Sequence, residues 1–170
     1  MLALAGSPAR EAPAAATSDA TVDAALAAGR SLYAFDCSVC HGPTGGGLEE
    51  ARLAFPPEHR RCTRCHKPNN PVVMPLDRPF VDNDMFAIGT PPALHGAARD
   101  AAADGAPLAA LARPEALFAY LRATMPRYDP GRETDLEYWL LTAHLLDMNG
   151  RAEAAREAVG AAVALGFTAP

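Results

Sequence analysis

Two copies of one short motif, Cys-x-x-Cys-His, constrain the fold of this chain more than any other feature of its sequence. The first copy contains Cys37, Cys40 and His41, and the second contains Cys62, Cys65 and His66. Together the copies use all 4 cysteines of the chain, so none is left for a structural disulfide elsewhere. Cysteines three positions apart lie on one turn of a helix, and the next residue can reach the same side. Each motif therefore predicts a helical turn that presents two thiols and one imidazole together.

The chemistry that best fits this spacing is the covalent attachment of haem. In the c-type attachment motif, the two thiols bind the two vinyl groups of one porphyrin, and the histidine ligates the iron. Three alternatives remain open: a four-cysteine zinc site, a thioredoxin-like redox motif, and two short disulfides. Zinc and disulfides do not explain a histidine after both pairs, and no strand pattern surrounds either pair. The sequence therefore predicts two covalently bound haem c groups.

Composition and charge favour some classes of function over others. Apolar residues make up 49% of the chain but aromatic residues only 6%, so an alanine-rich core needs additional volume, which two porphyrins would supply. The formal net charge of -5 argues against nucleic-acid binding, which relies on a basic surface. The same charge is compatible with docking on the basic patch of a redox partner. No stretch has the length of a membrane span, so none is predicted.

The N-terminal segment is interpreted separately from the rest of the chain. Residues 1–18 are mostly Ala, Pro, Gly and Ser, and we predict that they are disordered because they cannot bury enough apolar surface. The segment lacks the charged region and the long apolar run of a complete signal peptide. We therefore interpret the sequence as the mature form of a periplasmic or otherwise exported protein.

One helix is predicted on each side of the long central region. The first covers Thr21 to Asp36, where apolar residues recur at helical spacing. Because glycine inside a helix costs about 1 kcal/mol relative to alanine, Gly29 predicts a close crossing by another helix. The second begins with Pro114 as its first residue and stops before Thr124, because the residue before Pro126 avoids helical geometry.

The C-terminal third of the chain predicts two more helices. One covers Asp135 to Met148, and Thr134 with Glu137 forms a capping box at its start. Apolar residues cover nearly all sides of this helix, which predicts burial on more than one face. The alanine-rich segment 151–170 predicts an additional helix that packs on the domain or on a partner. Its apolar positions are Ala155, Val159, Val163 and Leu165.

Over about residues 21–150, the sequence resembles the class I c-type cytochromes. The segments that carry the resemblance are Gly29, Tyr33 and the first motif, the loop from Thr90 to Gly96, Met125-Pro126, and the helix that contains Trp139. It implies one all-α, cytochrome c-like domain in residues 19–150. It also implies that the Pro92 carbonyl accepts the ring proton of His41, and that His41 and Met125 are the axial ligands of the first haem (haem 1). A His/Met pair raises the reduction potential relative to two histidines.

One long segment departs from this family pattern. Single-haem members have only a short loop between the axial histidine and the Pro-x-Leu-x-Gly segment. Here an additional stretch, about residues 43–88, lies between them and contains the second motif. We therefore predict an insertion that carries the second haem (haem 2) within one domain. Met74, followed by Pro75, is the first choice for its distal ligand, with Met85 and His59 as alternates. An open sixth position also remains among the alternatives.

The remaining histidines and a glycine run are interpreted as structural. His95 lies where the resemblance places a residue that braces the loop by hydrogen bonding. His144 lies on a buried helix, and we expect it to be a packed core residue with its hydrogen bonds satisfied. The run Gly45 to Gly47 lacks the residues of a phosphate-binding loop and is interpreted as a flexible or close-approach loop.

The function that these observations predict is electron transfer between a redox donor and a redox acceptor. A permanent role as a subunit of a periplasmic oxidoreductase is also expected, since the run Tyr138 to Leu146 resembles the cytochrome subunits paired with sulfite-oxidising molybdenum enzymes. One alternative is a haem enzyme or ligand sensor with an open coordination site at haem 2. A second alternative is an interaction module stabilised by zinc.

Overall fold

The described part of the molecule is entirely helical. The computed structural model describes residues 17–54, 91–95, 108, 111–127 and 129–170. Within these ranges it contains no strand, and its helices are α1 (Asp19–Asp36), α2 (Ser38–His41), α3 (Leu48–Leu53), α4 (Pro114–Thr124), α5 (Asp135–Met148) and α6 (Ala152–Ala164). The predicted all-α class is confirmed at this level. None of the described helices is long and apolar enough to cross a membrane.

The ends of the helices follow the signals in the sequence. In α5 the predicted capping box is present: the Glu137 amide donates to the Thr134 hydroxyl at 3.3 Å, and the Thr134 amide donates to the Glu137 carboxylate at 2.8 Å. The N terminus of α1 was predicted two residues too late. The helix begins at Asp19 because the Ser18 hydroxyl accepts a hydrogen bond from the Thr21 amide at 3.2 Å, which satisfies one of the unpaired donors of the first turn.

Helix α5 is the centre of the described fold. It contacts α1, α4 and α6, so it is covered on several sides as its sequence predicts. Eight of its residues are buried: Tyr138, Leu140, Leu141, Thr142, Ala143, His144, Leu145 and Leu146. Removing this much apolar side-chain surface from water is the main driving force for packing the four longer helices together.

The crossing of α1 and α5 confirms the prediction from Gly29. A Cβ atom added at Gly29 would lie 2.2 Å from the Leu140 carbonyl oxygen and 3.0 Å from the His144 Cβ. Only glycine permits this approach, because no real Cβ atom tolerates a backbone atom at that distance. The crossing fixes the C-terminal end of α1, where the first Cys-x-x-Cys-His motif begins.

The predicted C-terminal helix is present, but its predicted apolar face is partly wrong. α6 packs mainly on α5, and its buried residues are Ala155, Ala158, Val159 and Ala162. Val163 and Leu165 are 38% and 52% exposed. Small alanine side chains allow close packing on α5, so the buried stripe follows the alanines and Val159. The larger residues at the end of the helix are left at the surface.

Candidate cofactor site

The first Cys-x-x-Cys-His motif forms one helical turn directly after α1. Cys37 is the C-terminal cap of α1, and the amides of Cys40 and His41 both donate to the Cys37 carbonyl, at 3.1 Å and 2.9 Å. Both cysteines are partly buried, and His41 is buried. The backbone therefore presents two thiols and one imidazole from the same turn, as the spacing predicts.

The orientation of the His41 ring is set by the segment that contains Pro92. The Nδ1 atom of His41 lies 2.9 Å from the Pro92 carbonyl oxygen. A carbonyl only accepts hydrogen bonds, so Nδ1 carries the proton and Nε2 keeps its lone pair. Burial lowers the pKa of His41 below its usual range, although the bond to Pro92 opposes this effect. His41 is therefore neutral near pH 7, which is the form of imidazole that ligates metals.

The glycine run brings the Pro92 segment close to His41. The Gly47 amide donates to the His41 carbonyl at 2.7 Å, and the Leu94 amide donates to the Gly45 carbonyl at 2.6 Å. Gly47 has a φ of 83°, and a Cβ atom at this position would lie 2.7 Å from the Ala93 nitrogen. The glycines therefore allow two backbone segments to touch, which confirms the close-approach alternative for this run.

Glu50 organises the same loop and was not singled out from the sequence. Its carboxylate accepts from the Thr44 hydroxyl at 2.6 Å and from the Gly46 amide at 2.7 Å. Burial favours the protonated form, but the hydrogen bonds from Thr44 and Gly46 outweigh it and lower the pKa of Glu50. Glu50 is the third residue of α3, a position typical of capping boxes. The signal was weak because the cap is Gly47 and not Ser or Thr.

Three further side chains brace the loop around His41. The Tyr33 hydroxyl donates to the Gly42 carbonyl at 2.7 Å, and burial raises the pKa of Tyr33. His95 Nε2 lies 3.1 Å from the Thr44 hydroxyl, so the predicted bracing role of His95 is confirmed. The Asn149 side chain donates to the Leu94 carbonyl at 3.0 Å and connects the Pro92 segment to the end of α5.

His144 differs from its prediction in one respect. Its ring is buried and packs edge-on against Tyr33, with ring centroids 5.4 Å apart, as expected of a core residue. Its Nδ1 atom, however, is buried without a hydrogen-bond partner. The expectation that its hydrogen bonds are satisfied is therefore wrong. The close approach at Gly29 brings the α1 backbone against the His144 side chain, where the donors and acceptors of α1 are already used within the helix.

Met125 lies at the end of α4, in a loop that leads to α5. It is partly buried and packs against the hydrophobic core, as Cys37 and Trp139 also do. Its carbonyl accepts a hydrogen bond of 2.7 Å from the Tyr138 hydroxyl, which in turn accepts one of 3.0 Å from the Gly131 amide. The hydrogen bonds in the described part of the chain do not link Met125 directly to His41.

Three aromatic residues of α4 and α5 pack together next to the Met125 loop: Phe118, Tyr138 and Trp139. Phe118 stacks on Trp139 with ring centroids 4.3 Å apart and an interplanar angle of 11°. Phe118 also meets the Tyr138 ring edge-on, at 6.5 Å between centroids. The Tyr138 ring therefore packs on α4 through Phe118, and its hydroxyl is presented to the Met125 carbonyl from α5.

The start of the motif is surrounded by charged groups. Asp36 is 6% exposed and forms an ion pair with Arg132. Burial and the nearby Asp36 and Glu133 carboxylates raise the pKa of the Cys37 thiol to about 12, and Arg132 partly offsets them. The Cys37 sulfur is therefore a protonated thiol at neutral pH.

The residues predicted to hold haem 2 lie outside the described residues. They are Cys62, Cys65, His66, Met74, Met85 and His59. Among the described residues, no group of three or more His, Cys, Asp or Glu side chains is arranged to hold a metal ion. A haem iron takes only its axial ligands from the protein, so a cluster of this kind is not what the prediction requires.

No protein-family model, curated protein or solved structure matches this chain. The interpretation of the site therefore depends on its own geometry, and above all on the turn from Cys37 to His41 and the Pro92 carbonyl.

Proposed function

We propose that this protein is a dihaem c-type cytochrome that transfers electrons between redox partners. The observation that carries the proposal is the hydrogen bond of 2.9 Å from His41 Nδ1 to the Pro92 carbonyl. It joins residues far apart in the sequence, and it gives His41 the tautomer and orientation of a metal ligand directly after two cysteines on the same turn. A four-cysteine zinc site would make no use of this arrangement.

The residues of the first site fit a covalently bound haem. Cys37 and Cys40 would form the thioether bonds, His41 would be an axial ligand through Nε2, and Pro92 would hold the ring in place. Met125 would be the second axial ligand. The haem, when bound, supplies one-electron chemistry, and the protein contributes ligand choice, burial and a docking surface. Cys37, Leu94, Met125 and Trp139 are partly buried and pack against the hydrophobic core, and partly buried apolar side chains of this kind support the proposal of a porphyrin next to them.

For haem 2 the proposal rests on the sequence. Cys62 and Cys65 would attach the porphyrin, and His66 would be the proximal ligand. Met74 remains the preferred distal ligand, with Met85 and His59 as alternates.

The proposed setting is the periplasm or another exported location. The electron donor and the electron acceptor of this protein would be redox proteins. In a second arrangement, the chain would be the permanent cytochrome subunit of an oxidoreductase, such as a sulfite-oxidising molybdenum enzyme. The net charge of -5, made more negative by haem propionates, favours a partner with a basic docking surface.

The first experiment is a pyridine haemochrome assay with oxidised and reduced spectra of the purified protein. We expect two covalent haems per chain, a methionine-to-iron charge-transfer band in the oxidised form, and no spectral change at a carbon monoxide concentration that saturates an open haem iron. The double substitution of Cys37 and Cys40 by serine should leave one haem, and the same change at Cys62 and Cys65 is the matched control. A protein without covalent haem but with one zinc per chain would overturn the proposal, and a carbon monoxide shift would favour the enzyme or sensor alternative.

A further inference from the structure

The loop that follows Met125 is fastened to the end of α1 by a charged side chain. Arg132 donates from its guanidinium to the Asp36 carboxylate, although the two residues are 96 positions apart in the sequence. The Asp36 side chain is 4% exposed and that of Arg132 is 29% exposed, so this ion pair is largely shielded from water. Asp36 is the last residue of α1 and immediately precedes Cys37.

Arg132 also contacts a second shielded carboxylate. Its Nε atom lies 2.5 Å from Glu133 Oε1, and the Glu133 side chain is 10% exposed. One guanidinium therefore neutralises two carboxylates that have little contact with water. Removing one partner of such a group leaves an uncompensated buried charge, which is far more costly than losing a surface ion pair.

A chain of hydrogen bonds continues from Arg132 to Met125. The neighbouring Gly131 amide donates to the Tyr138 hydroxyl at 3.0 Å, and this hydroxyl donates to the Met125 carbonyl at 2.7 Å. Tyr138 thus connects the two ends of the loop, and Arg132 connects the loop to Asp36 and the cysteine turn. The whole path runs from the proposed distal ligand to the residue next to Cys37.

We propose that Arg132 and Tyr138 are positioning residues that hold Met125 in place as the distal ligand of haem 1, by fastening its loop to the end of α1. This inference rests on the proposed function, because it needs haem 1 to be present. Neither residue has to touch the haem for this role. Without the Arg132–Asp36 pair, the loop loses its described connection to the end of α1, and Met125 exchanges more readily with external ligands.

The test uses the holoprotein with Arg132→Gln, and Arg122→Gln is the matched control. Arg122 also forms an ion pair near the start of α5, at 2.6 Å from Asp135, but its side chain is 56% exposed, so its substitution removes a solvent-screened pair and not a shielded one. We expect Arg132→Gln to weaken the methionine–iron band and to increase the apparent carbon monoxide affinity of reduced haem 1 about tenfold, since apparent affinity scales with the fraction of the binding-competent state. Arg122→Gln should change it less than about twofold.

Two further variants separate positioning from a general loss of folding. Tyr138→Phe removes only the hydroxyl and keeps the ring against Phe118, and should weaken the methionine–iron band in the same direction. Arg132→Lys keeps the positive charge and should restore part of the band. Both variants are compared at equal haem content and equal helical circular dichroism.

The outcomes distinguish this inference from the proposed function. A wild-type protein with two haems and a methionine–iron band, whose band and carbon monoxide affinity are unchanged in Arg132→Gln and Tyr138→Phe, overturns the inference alone. A wild-type protein with haem but without that band removes Met125 as a ligand and overturns the inference, but leaves the haem proposal standing. A protein without covalent haem overturns both.

Discussion

The two sides of the candidate haem site are built in different ways. On the His41 side, two backbone hydrogen bonds, from Gly47 to His41 and from Leu94 to Gly45, hold the loop together, and the His41 ring donates to the Pro92 carbonyl. Several side chains reinforce this arrangement: Tyr33, Glu50, His95 and Asn149. On the Met125 side, among the described residues, the side chains of Tyr138 and Arg132 connect the loop to α5 and to the end of α1. Backbone contacts survive most side-chain substitutions, whereas a loop held by side chains can be released by changing one of them. The His41 side should therefore be the permanent part of the site and the Met125 side the adjustable one.

The largest loss in the free energy of unfolding should come from a change at the α1–α5 crossing, because both sides of the site are attached to these two helices. Gly29→Ala would place a Cβ atom 2.2 Å from the Leu140 carbonyl oxygen, which forces α1 and α5 apart. We expect a loss of about 3 kcal/mol in the free energy of unfolding, measured by chemical denaturation. Gly160→Ala in α6 is the control, because nothing lies within 4 Å of its added Cβ, and it should stabilise the protein by about 0.5–1 kcal/mol. Equal effects of the two changes would contradict the close crossing.

A change at Gly47 should damage only the His41 side. The added Cβ of Gly47→Ala would meet the Ala93 nitrogen at 2.7 Å, in a backbone conformation with a φ of 83°. Gly150→Ala has a similar φ of 71° but no atom within 4 Å, so it measures the backbone strain alone. We expect losses of about 2–3 kcal/mol for Gly47→Ala and about 1 kcal/mol for Gly150→Ala, again by denaturation. In the Gly47 variant we expect faster hydrogen exchange at the Leu94 amide, which donates to the Gly45 carbonyl on the His41 side. The methionine–iron band, which reports on the Met125 side, should change little.

The buried His144 should make stability depend on pH. Burial lowers its pKa in the folded state, with a smaller contribution from Arg30 that Asp147 opposes. The unfolded chain therefore binds a proton first, and stability is lost as the pH falls below about 6.5 towards the folded pKa. His144→Leu should reduce the loss in the free energy of unfolding between pH 7 and pH 5, measured by urea denaturation at the two pH values. An unchanged pH dependence in His144→Leu would show that this ring is not the group responsible.

The smallest effect should come from Glu50, which supports the glycine loop with a side chain. Glu50→Gln loses charge-assisted hydrogen bonds to Thr44 and Gly46 and should cost about 1 kcal/mol at neutral pH. Because the pKa of Glu50 is lowered in the folded state, its contribution is present above its unfolded pKa of about 4.3 and is lost as the pH falls through the folded pKa. Glu49→Gln is the control, since Glu49 is 78% exposed and pairs with Arg52 on the surface. Urea denaturation at pH 7 and pH 3 measures both variants, and a similar cost at both pH values would contradict the prediction.

Much of the helical framework could be predicted because its signals are local. The capping box of Thr134 and Glu137 and the N-terminal Pro114 fix helix starts, and Gly29 indicates a crossing wherever its partner lies. The His41–Pro92 bond was expected from a resemblance and is present in the structure. No local pattern in the sequence predicts the Arg132–Asp36 pair. It joins a loop to the last residue of α1 across 96 positions, and charged residues are common in any sequence.

Other parts were missed for related reasons. α3 is six residues long and its N-cap is Gly47, so neither periodicity nor a capping side chain marks it. The buried face of α6 was misassigned in part, because in an alanine-rich helix several faces are almost equally apolar. The unsatisfied nitrogen of His144 depends on how closely two helices approach, which no sequence pattern specifies.

The crossing at Gly29 also has a consequence for the order in which the protein matures. The helix that supports the cysteine turn packs on Leu140, so its partner is synthesised 111 positions after Gly29. Bringing such distant residues together is slow, because the loop entropy must be lost before the contact forms. The Cys37 and Cys40 thiols therefore spend an early period on a helix without its tertiary support. We expect them to be modified most readily in that period, before burial raises the pKa of Cys37 and slows its reactions.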